Sequence, residues 1–361
     1  MRRIREAAQL LHRPHRASPG DLVRHLLGVQ AQVLSAARLA LAARTDGLTA
    51  GAVERARVEE RSIVLTWLMR GTLHLVAAED YGWLQPLVVE PRVSNSRRRL
   101  HELGLTGDQP YRATAAIERM LDREGPLTRA EVLARLRRRR IPTGDPAIGV
   151  HLLWLAASTG RVCHGPIRNG ERYFVLVRDW IGEPEPMERE AALAELAVRY
   201  LASHGPSTPE DLAFWSGIRM GDARRAWRAV EDRMVEVELP GPARTPGARL
   251  WALGSGPDQA PPGLVRLVPS FDEYFLGWKD RAFAVEPGGW KVINRGGGWL
   301  HPVVLSDGRA IGTWKGERAP GTFRVEVRPF DRLSPTVRRK LEADAARLGA
   351  FLGTATEVRF P

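Results

Sequence analysis

Two glutamines, Gln30 and Gln32, flank one alanine in the stretch Gly28-Val29-Gln30-Ala31-Gln32-Val33. On extended backbone a spacing of two puts both side chains on the same side, where two amides are able to converge on one small target. A carboxamide offers N–H donors and a carbonyl acceptor, which suits holding a water or directing partial charge. It does not suit proton abstraction at neutral pH. A second role is open to the same pair, because buried polar groups need partners and both amides would serve to cap backbone carbonyls between helices. Other chemistry is missing. The chain has no Walker-type phosphate loop, no His-Glu-x-x-His and no Gly-x-Ser-x-Gly. Gly254-Ser255-Gly256 lacks the third glycine of a dinucleotide fingerprint. His12 and His15 stand three apart, but Pro14 interrupts any helix between them. Neither a metal nor a cofactor is therefore expected. The single cysteine, Cys163, excludes an intramolecular disulfide, a cysteine-cluster zinc site and an iron–sulfur cluster.

Charge indicates the kind of partner. The 361 residues carry 54 basic and 42 acidic side chains, a net of +12. Residues 1–150 hold 25 basic against 16 acidic ones, so most of the excess sits in one lobe. Such a lobe suits a polyanion such as nucleic acid. An arginine-rich usage with only four lysines (Lys279, Lys291, Lys315 and Lys340) is also what a GC-rich coding sequence produces. Hydrophobic residues at 43% and charged ones at 27% describe a folded chain with a sizeable core. No apolar run approaches the roughly 20 residues of a membrane span. The N-terminus lacks the apolar core of a signal peptide. A soluble, cytoplasmic, multi-domain protein is expected.

An internal repeat supplies the elements that must position the glutamines. Gly125-Pro126-Leu127-Thr128 aligns with Gly205-Pro206-Ser207-Thr208, and Ser18-Pro19-Gly20-Asp21-Leu22 is a third, weaker copy. Each copy sets a hydroxyl three residues before an acid (Ser18/Asp21, Thr128/Glu131, Thr208/Asp211), a capping-box-like helix start. Helical segments precede the caps at 3–11, 114–123 and 189–203. Further helices follow, such as 146–158 and 221–231. Strand pairs close each copy: 63–68 with 72–77 turning at Arg70-Gly71, 161–163 with 173–177 turning near Arg168-Asn169-Gly170, and 234–238 with 249–253 across a Pro/Gly-rich loop. Helix, capped helix, helix and hairpin make a winged-helix unit. After Pro261-Pro262, short apolar runs alternate with Gly-rich turns, the pattern of a small antiparallel β-barrel, with a helix at 334–348 and a last strand near 356–360. The expected fold is α+β, with three winged-helix domains at 1–108, 109–183 and 184–260 and a β domain at 261–361. Trp67, Trp154, Trp215 and Trp227 fall in apolar patterns and read as plain core.

Three motifs together carry a family resemblance: Gln30-Ala31-Gln32, Trp67-Leu68-Met69-Arg70-Gly71-Thr72-Leu73-His74, and Phe271-Asp272-Glu273-Tyr274-Phe275-Leu276-Gly277-Trp278-Lys279-Asp280-Arg281. The chain resembles the AlkZ-like winged-helix DNA glycosylases over nearly its whole length. The resemblance implies that Gln30 and Gln32 are the catalytic pair. It also implies bulky alkylguanine lesions and interstrand cross-links as substrates, and bacterial self-resistance as a role. Members with aspartate at the second position form another branch. A glutamine supplies no general acid, so two-carboxylate glycosidase chemistry is not available from this motif. A cationic N7-alkylguanine needs none, because it departs as a neutral purine. The expected partner is double-stranded DNA containing alkylated guanine, met by a monomer at the nucleoid. Arg70, Thr72 and His74 at the first hairpin are candidate DNA contacts, the turn being otherwise a solvated tip. Lys279 and Arg281 read as a phosphate clamp or as local ion pairs with Asp280 or Asp272. Arg295 precedes the Gly296-Gly297-Gly298 turn, which is able to approach a groove closely. The rival reading is a winged-helix transcription regulator without chemistry. Such regulators pair one unit per subunit, and three non-identical units in one chain fit that less well.

Overall fold

The computed structural model describes residues 1–13, 16–238, 249–254 and 258–360. Pro14 and His15, the Pro/Gly-rich loop of the third hairpin and Ser255-Gly256 lie outside the described residues. The fold is mixed α+β. Capping is where sequence and structure meet first. Ser18, Thr128 and Thr208 each accept from the backbone N–H three residues on, opening helices Pro19–Leu26, Arg129–Arg138 and Pro209–Ser216. In the first two copies the acid answers by accepting from the cap residue's own N–H, completing the box. In the third, Asp211 turns instead to the Thr208 hydroxyl and to the backbone N–H of Lys279. That departure joins the third copy to the C-terminal region.

Helix, capped helix, helix and hairpin recur three times, but the units are not separate beads. The first hairpin is Ile63–Trp67 with Leu73–Ala77, and the second is Val162–Arg168 with Glu171–Leu176. They meet edge to edge at Leu65 and His164, so two wings share one six-stranded sheet. Short strands Val29–Gln30 and Leu127–Thr128 close its two edges. The 22-residue helix Tyr81–Glu102 contributes Leu84, Leu87 and Val88 to a core shared with Trp154, Leu196, Trp215 and Trp227. The third hairpin, Met234–Glu236 with Trp251–Leu253, forms its own two-stranded sheet, bridged by Trp251 to Ser207.

The β-barrel expectation is corrected. The C-terminal sheet has five strands in the order Ala355–Arg359, Thr322–Pro329, Arg309–Ala319, Val303–Ser306 and Val265–Val268, with no closing pair among the described residues. It is a half-barrel, and its last pairing, between Thr322–Glu326 and Ala355–Arg359, is parallel. Helix Pro335–Leu352 explains why it stays open. Leu341, Ala345, Leu348 and Phe351 of that helix bury the face formed by Val265, Leu267, Val325 and Val327, the apolar surface that closure would otherwise have to hide. No helix among the described residues is long and apolar enough to cross a membrane.

Candidate active site

The glutamine pair sits where a helix is forced into a sheet edge. Helix Pro19–Leu26 ends with Leu27 in the left-handed region, and Gly28 follows at φ 141. That φ is one L side chains rarely adopt, so glycine suits the turn, and its missing Cβ also leaves room for the end of the Met69 side chain. Val29 and Gln30 then pair with Leu75 and His74 of the first hairpin. The pairing stops at Ala31, whose N–H donates to the Leu73 carbonyl. Gln32 takes over from the ladder: its Oε1 accepts from the Leu73 N–H at 3.0 Å while the residue stays exposed.

Gln30 is buried and held from two directions. Its side-chain Oε1 accepts from an Arg70 guanidinium nitrogen at 3.2 Å, and its backbone N–H donates to Glu273 Oε1 at 3.0 Å. Both amides therefore lean on one segment, Arg70–Leu73, each through its oxygen. A carbonyl oxygen has two lone pairs, so each keeps one, and neither amide nitrogen has a protein partner among the described residues. A cleft of about 310 Å³ begins at Val33, next in the chain to Gln32, and is lined by Ser35, Arg38, Trp314, Arg318 and Phe323.

The first hairpin is not a solvated tip. Arg70 takes φ 56 and is half-buried, its guanidinium bonded to the Trp215 carbonyl as well as to Gln30. Gly217, the left-handed cap that ends helix Pro209–Ser216, makes room for it: a Cβ there would sit 3.1 Å from the Arg70 nitrogen. Thr72 donates its hydroxyl to the Met69 carbonyl at 3.0 Å. His74 corrects its expected role, because its ring is fully buried and out of reach of DNA. Burial, and then the nearby Arg70 charge, push it down to about 3, so the ring is neutral. Its Nδ1 bonds the Thr72 carbonyl at 2.9 Å.

Glu273 is the residue that sequence reading passed over. It is fully buried, accepting from Gln30 N–H through one oxygen and from Trp215 Nε1 through the other, both at 3.0 Å. Burial raises its pKa, and the Arg70 charge opposes the rise. The signal was present, since an acid inside the apolar run Phe271–Trp278 has to be buried with partners. The whole motif is a keystone. Asp272 makes two 2.8 Å bonds to the Arg44 guanidinium, and Trp278 Nε1 donates to the His204 carbonyl at 2.9 Å. Trp215, expected to be plain core, is core with a working N–H. Asp272 is thus spoken for and is not Arg281's partner. Arg281 donates to the Phe275 carbonyl at 2.7 Å and lies between the rings of Phe214 and Trp290. Lys279 and Arg295 have exposed side chains. Arg295 opens a turn built on three left-handed glycines, with Trp299 half exposed at its end. Among the described residues no group of three or more His, Cys, Asp or Glu side chains is arranged to hold a metal ion.

A family model of the AlkZ-like DNA glycosylases matches residues 23–351. The chain belongs to the AlkZ-like DNA glycosylase family. It is 30% identical over 329 residues to the interstrand DNA cross-link repair glycosylase of Streptomyces sahachiroi, covering 85% of this chain and 84% of that one. The solved structure of the Streptomyces sahachiroi DNA glycosylase AlkZ matches with a TM-score of 0.82 at 28% identity, over 100% of this chain and 99% of that one. The protein is thus an enzyme, a DNA glycosylase that hydrolyses its substrate, and the regulator reading is set aside. As a glycosylase site it has an unusual charge pattern. Glu273, the carboxylate nearest to Gln30, already has both oxygens occupied by protein N–H groups and is shut off from solvent.

Proposed function

We propose that this glycosylase hydrolyses the N-glycosidic bond of bulky, cationic N7-alkylguanine adducts in double-stranded DNA, interstrand cross-links included, with Gln30 and Gln32 as the catalytic pair. The observation that carries this reading is the meeting of two neutral amides on Arg70–Leu73, beside a buried carboxylate and a neutral, buried imidazole. No group there is placed to protonate a departing base. An N7-alkylated guanine already carries its positive charge and leaves as a neutral purine, so the site needs only to hold water at C1′ and to tolerate an oxocarbenium-like sugar. Amide dipoles fixed in advance serve both purposes, with the free nitrogens and the remaining oxygen lone pairs facing substrate and water.

The three helix–helix–hairpin units are winged helices in this reading, and with the half-barrel they form a basic concave surface that follows phosphates. Lys279 and Arg295, both exposed, are the phosphate contacts of that surface. The cleft at Val33 gives room for the bulk of an adduct. The enzyme works as a cytoplasmic monomer, in repair or in self-resistance to a genotoxin. That the Streptomyces sahachiroi relative is a cross-link repair glycosylase supports this substrate class.

The test runs matched duplexes carrying uracil, N7-methylguanine or a nitrogen-mustard guanine adduct, followed by alkali to cleave abasic sites. Release of the charged adducts, with uracil left in place, is the expected result. Efficient uracil release would require a proton donor or anion stabiliser that these residues do not provide.

A further inference from the structure

We propose that Glu273 is a positioning residue for catalysis: with Arg70 it clamps Gln30 so that its amide is held in one orientation toward the substrate. This rests on the catalytic reading of Gln30. Two adjacent acids at the start of the keystone motif show why Glu273 needs a reason beyond stability. Asp272 and Glu273 are equally buried, at 1% and 0% exposure. Asp272 meets its desolvation cost with a two-pronged guanidinium pair to Arg44, the strong solution for a carboxylate. Glu273 has no such pair. Its partners are two neutral donors, the Gln30 N–H and the Trp215 indole. An acid buried on such terms is expensive to keep.

What the carboxylate supplies is an acceptor for two donors at once. A glutamine in its place would accept one N–H and point its own N–H₂ at the other. The Gln30 N–H is an edge-strand donor with no further strand to pair with, since Val29–Gln30 ends the sheet. Glu273 caps that edge and fixes the Gln30 backbone. Arg70 fixes the far end of the side chain by donating to its oxygen. Trp215 ties the two clamps together, because its carbonyl accepts from Arg70 and its indole N–H donates to Glu273. Three residues from three separate segments of the chain thus fix Gln30 at both ends, leaving its Nε2 donor and one lone pair of its oxygen uncommitted. Guanidinium bonding to the oxygen also polarises the amide and strengthens its N–H groups.

The experiment is a double-mutant cycle of Glu273→Gln with Gln30→Ala. It is read by single-turnover excision from a nitrogen-mustard-alkylated duplex, by the dissociation constant for unmodified duplex, and by thermal midpoint. Gln30→Ala alone should lower the rate by about 10²-fold. Glu273→Gln alone should lower it by about tenfold, in keeping with the cost of small misplacements of a reacting group, with DNA affinity unchanged. In the Gln30→Ala background Glu273→Gln should cost no further rate, while its loss of thermal midpoint persists in full. A purely structural Glu273 would move the midpoint and leave no such pattern in the rates. Wild-type rates for Glu273→Gln beside a slow Gln30→Ala, or rate losses that multiply, would overturn the positioning role alone. A wild-type rate for Gln30→Ala would overturn the catalytic reading and the proposal with it. Should Glu273→Gln not fold, Trp215→Phe removes one of the two donors to Glu273 while keeping an aromatic ring in the core. It should show the same lack of additivity with Gln30→Ala.

Discussion

The first and second hairpins turn on the same backbone geometry and put it to opposite uses. Arg70-Gly71 has φ values of 56 and 76, and Asn169-Gly170 has 51 and 78. Asparagine visits this left-handed region readily because its short side chain bonds locally, whereas arginine takes a strain of roughly 1 kcal/mol there. In the second hairpin Arg168, Asn169 and Gly170 are all exposed, and the residue type suits the turn. In the first, an ill-suited arginine is kept, and its guanidinium holds Gln30 and the Trp215 carbonyl. Backbone strain tolerated at one copy and absent from the other marks the copy that was turned inward. The third unit does the turning, since helix Pro209–Ser216 docks on the first turn, whereas the Arg168–Gly170 tip of the second hairpin stays in solvent.

Removing the groups that the first turn holds is the hardest blow to this contrast. Gln30→Ala and Gln32→Ala should each cut single-turnover excision by about 10²-fold with DNA affinity preserved. Normal rates in both variants would leave the inward turn with nothing to position. Arg70→Asn is subtler, because it gives the first hairpin the turn residue of the second. Backbone strain is relieved, yet the Gln30 oxygen and the Trp215 carbonyl lose a charged donor. Excision should fall by about tenfold or more. Stability should drop by about 2 kcal/mol, the loss of two charged hydrogen bonds less the relief of strain. A variant that excises normally would show that Arg70 serves the fold and not the amide.

The two hairpins also bury one histidine each. Burial, then Arg70, holds His74 at about 3; burial, then Arg172 and Arg57, holds His164 there as well. Both lie below the ordinary 6.5, so the stability each provides is complete above about pH 6.5 and is lost as pH falls toward 3. The loss runs at about 1.4 kcal/mol per pH unit per ring. Glu6 has the opposite sign. Burial raises it to about 7, so its contribution is lost as pH rises from about 4.5 to 7, and it offsets one ring. His164 makes tilted ring contacts with Trp67 and Phe174, while His74 lies directly opposite Gln30. His164→Leu should therefore make the acid slope in urea unfolding shallower by about one proton and leave excision at neutral pH unchanged. An unaltered slope would mean that the folded state accommodates a charged His164.

Much of this contrast was legible in the chain. The three caps follow from local chemistry, a hydroxyl three residues before an acid, and such signals do not depend on what packs nearby. Both hairpin turns were legible for the same reason, through their glycines. The partial burial of Arg70 is not legible in the sequence, because a turn residue reads as exposed unless something covers it, and its cover comes from Trp215, 145 residues away. Glu273 stood in full view within a motif, but its partners Gln30 and Trp215 come together only in the fold. The half-barrel was read as closed because alternation along strands reports one buried face without saying whether a helix or another strand covers it.

The smallest effect is the sharpest test of the turn argument, because it isolates the backbone from the chemistry. Asn169→Arg gives the second hairpin the residue of the first without giving it anything to hold. The side chain of Asn169 is exposed, and a Cβ on neighbouring Gly170 would meet nothing within 4 Å, so the longer side chain has space. What changes is the cost of the left-handed conformation, and the protein should lose up to about 1 kcal/mol of stability. Excision and DNA affinity should stay within about twofold of wild type, since one more positive charge on a solvent-exposed tip is largely screened. Measured beside Arg70→Asn, both variants should lose stability in urea unfolding, but Asn169→Arg keeps its rate whereas Arg70→Asn does not. A rate loss for Asn169→Arg as large as that of Arg70→Asn would place the second tip against the substrate. An unchanged stability would mean that arginine sits in this turn without strain, and the retained Arg70 would then no longer mark the first hairpin as the functional copy.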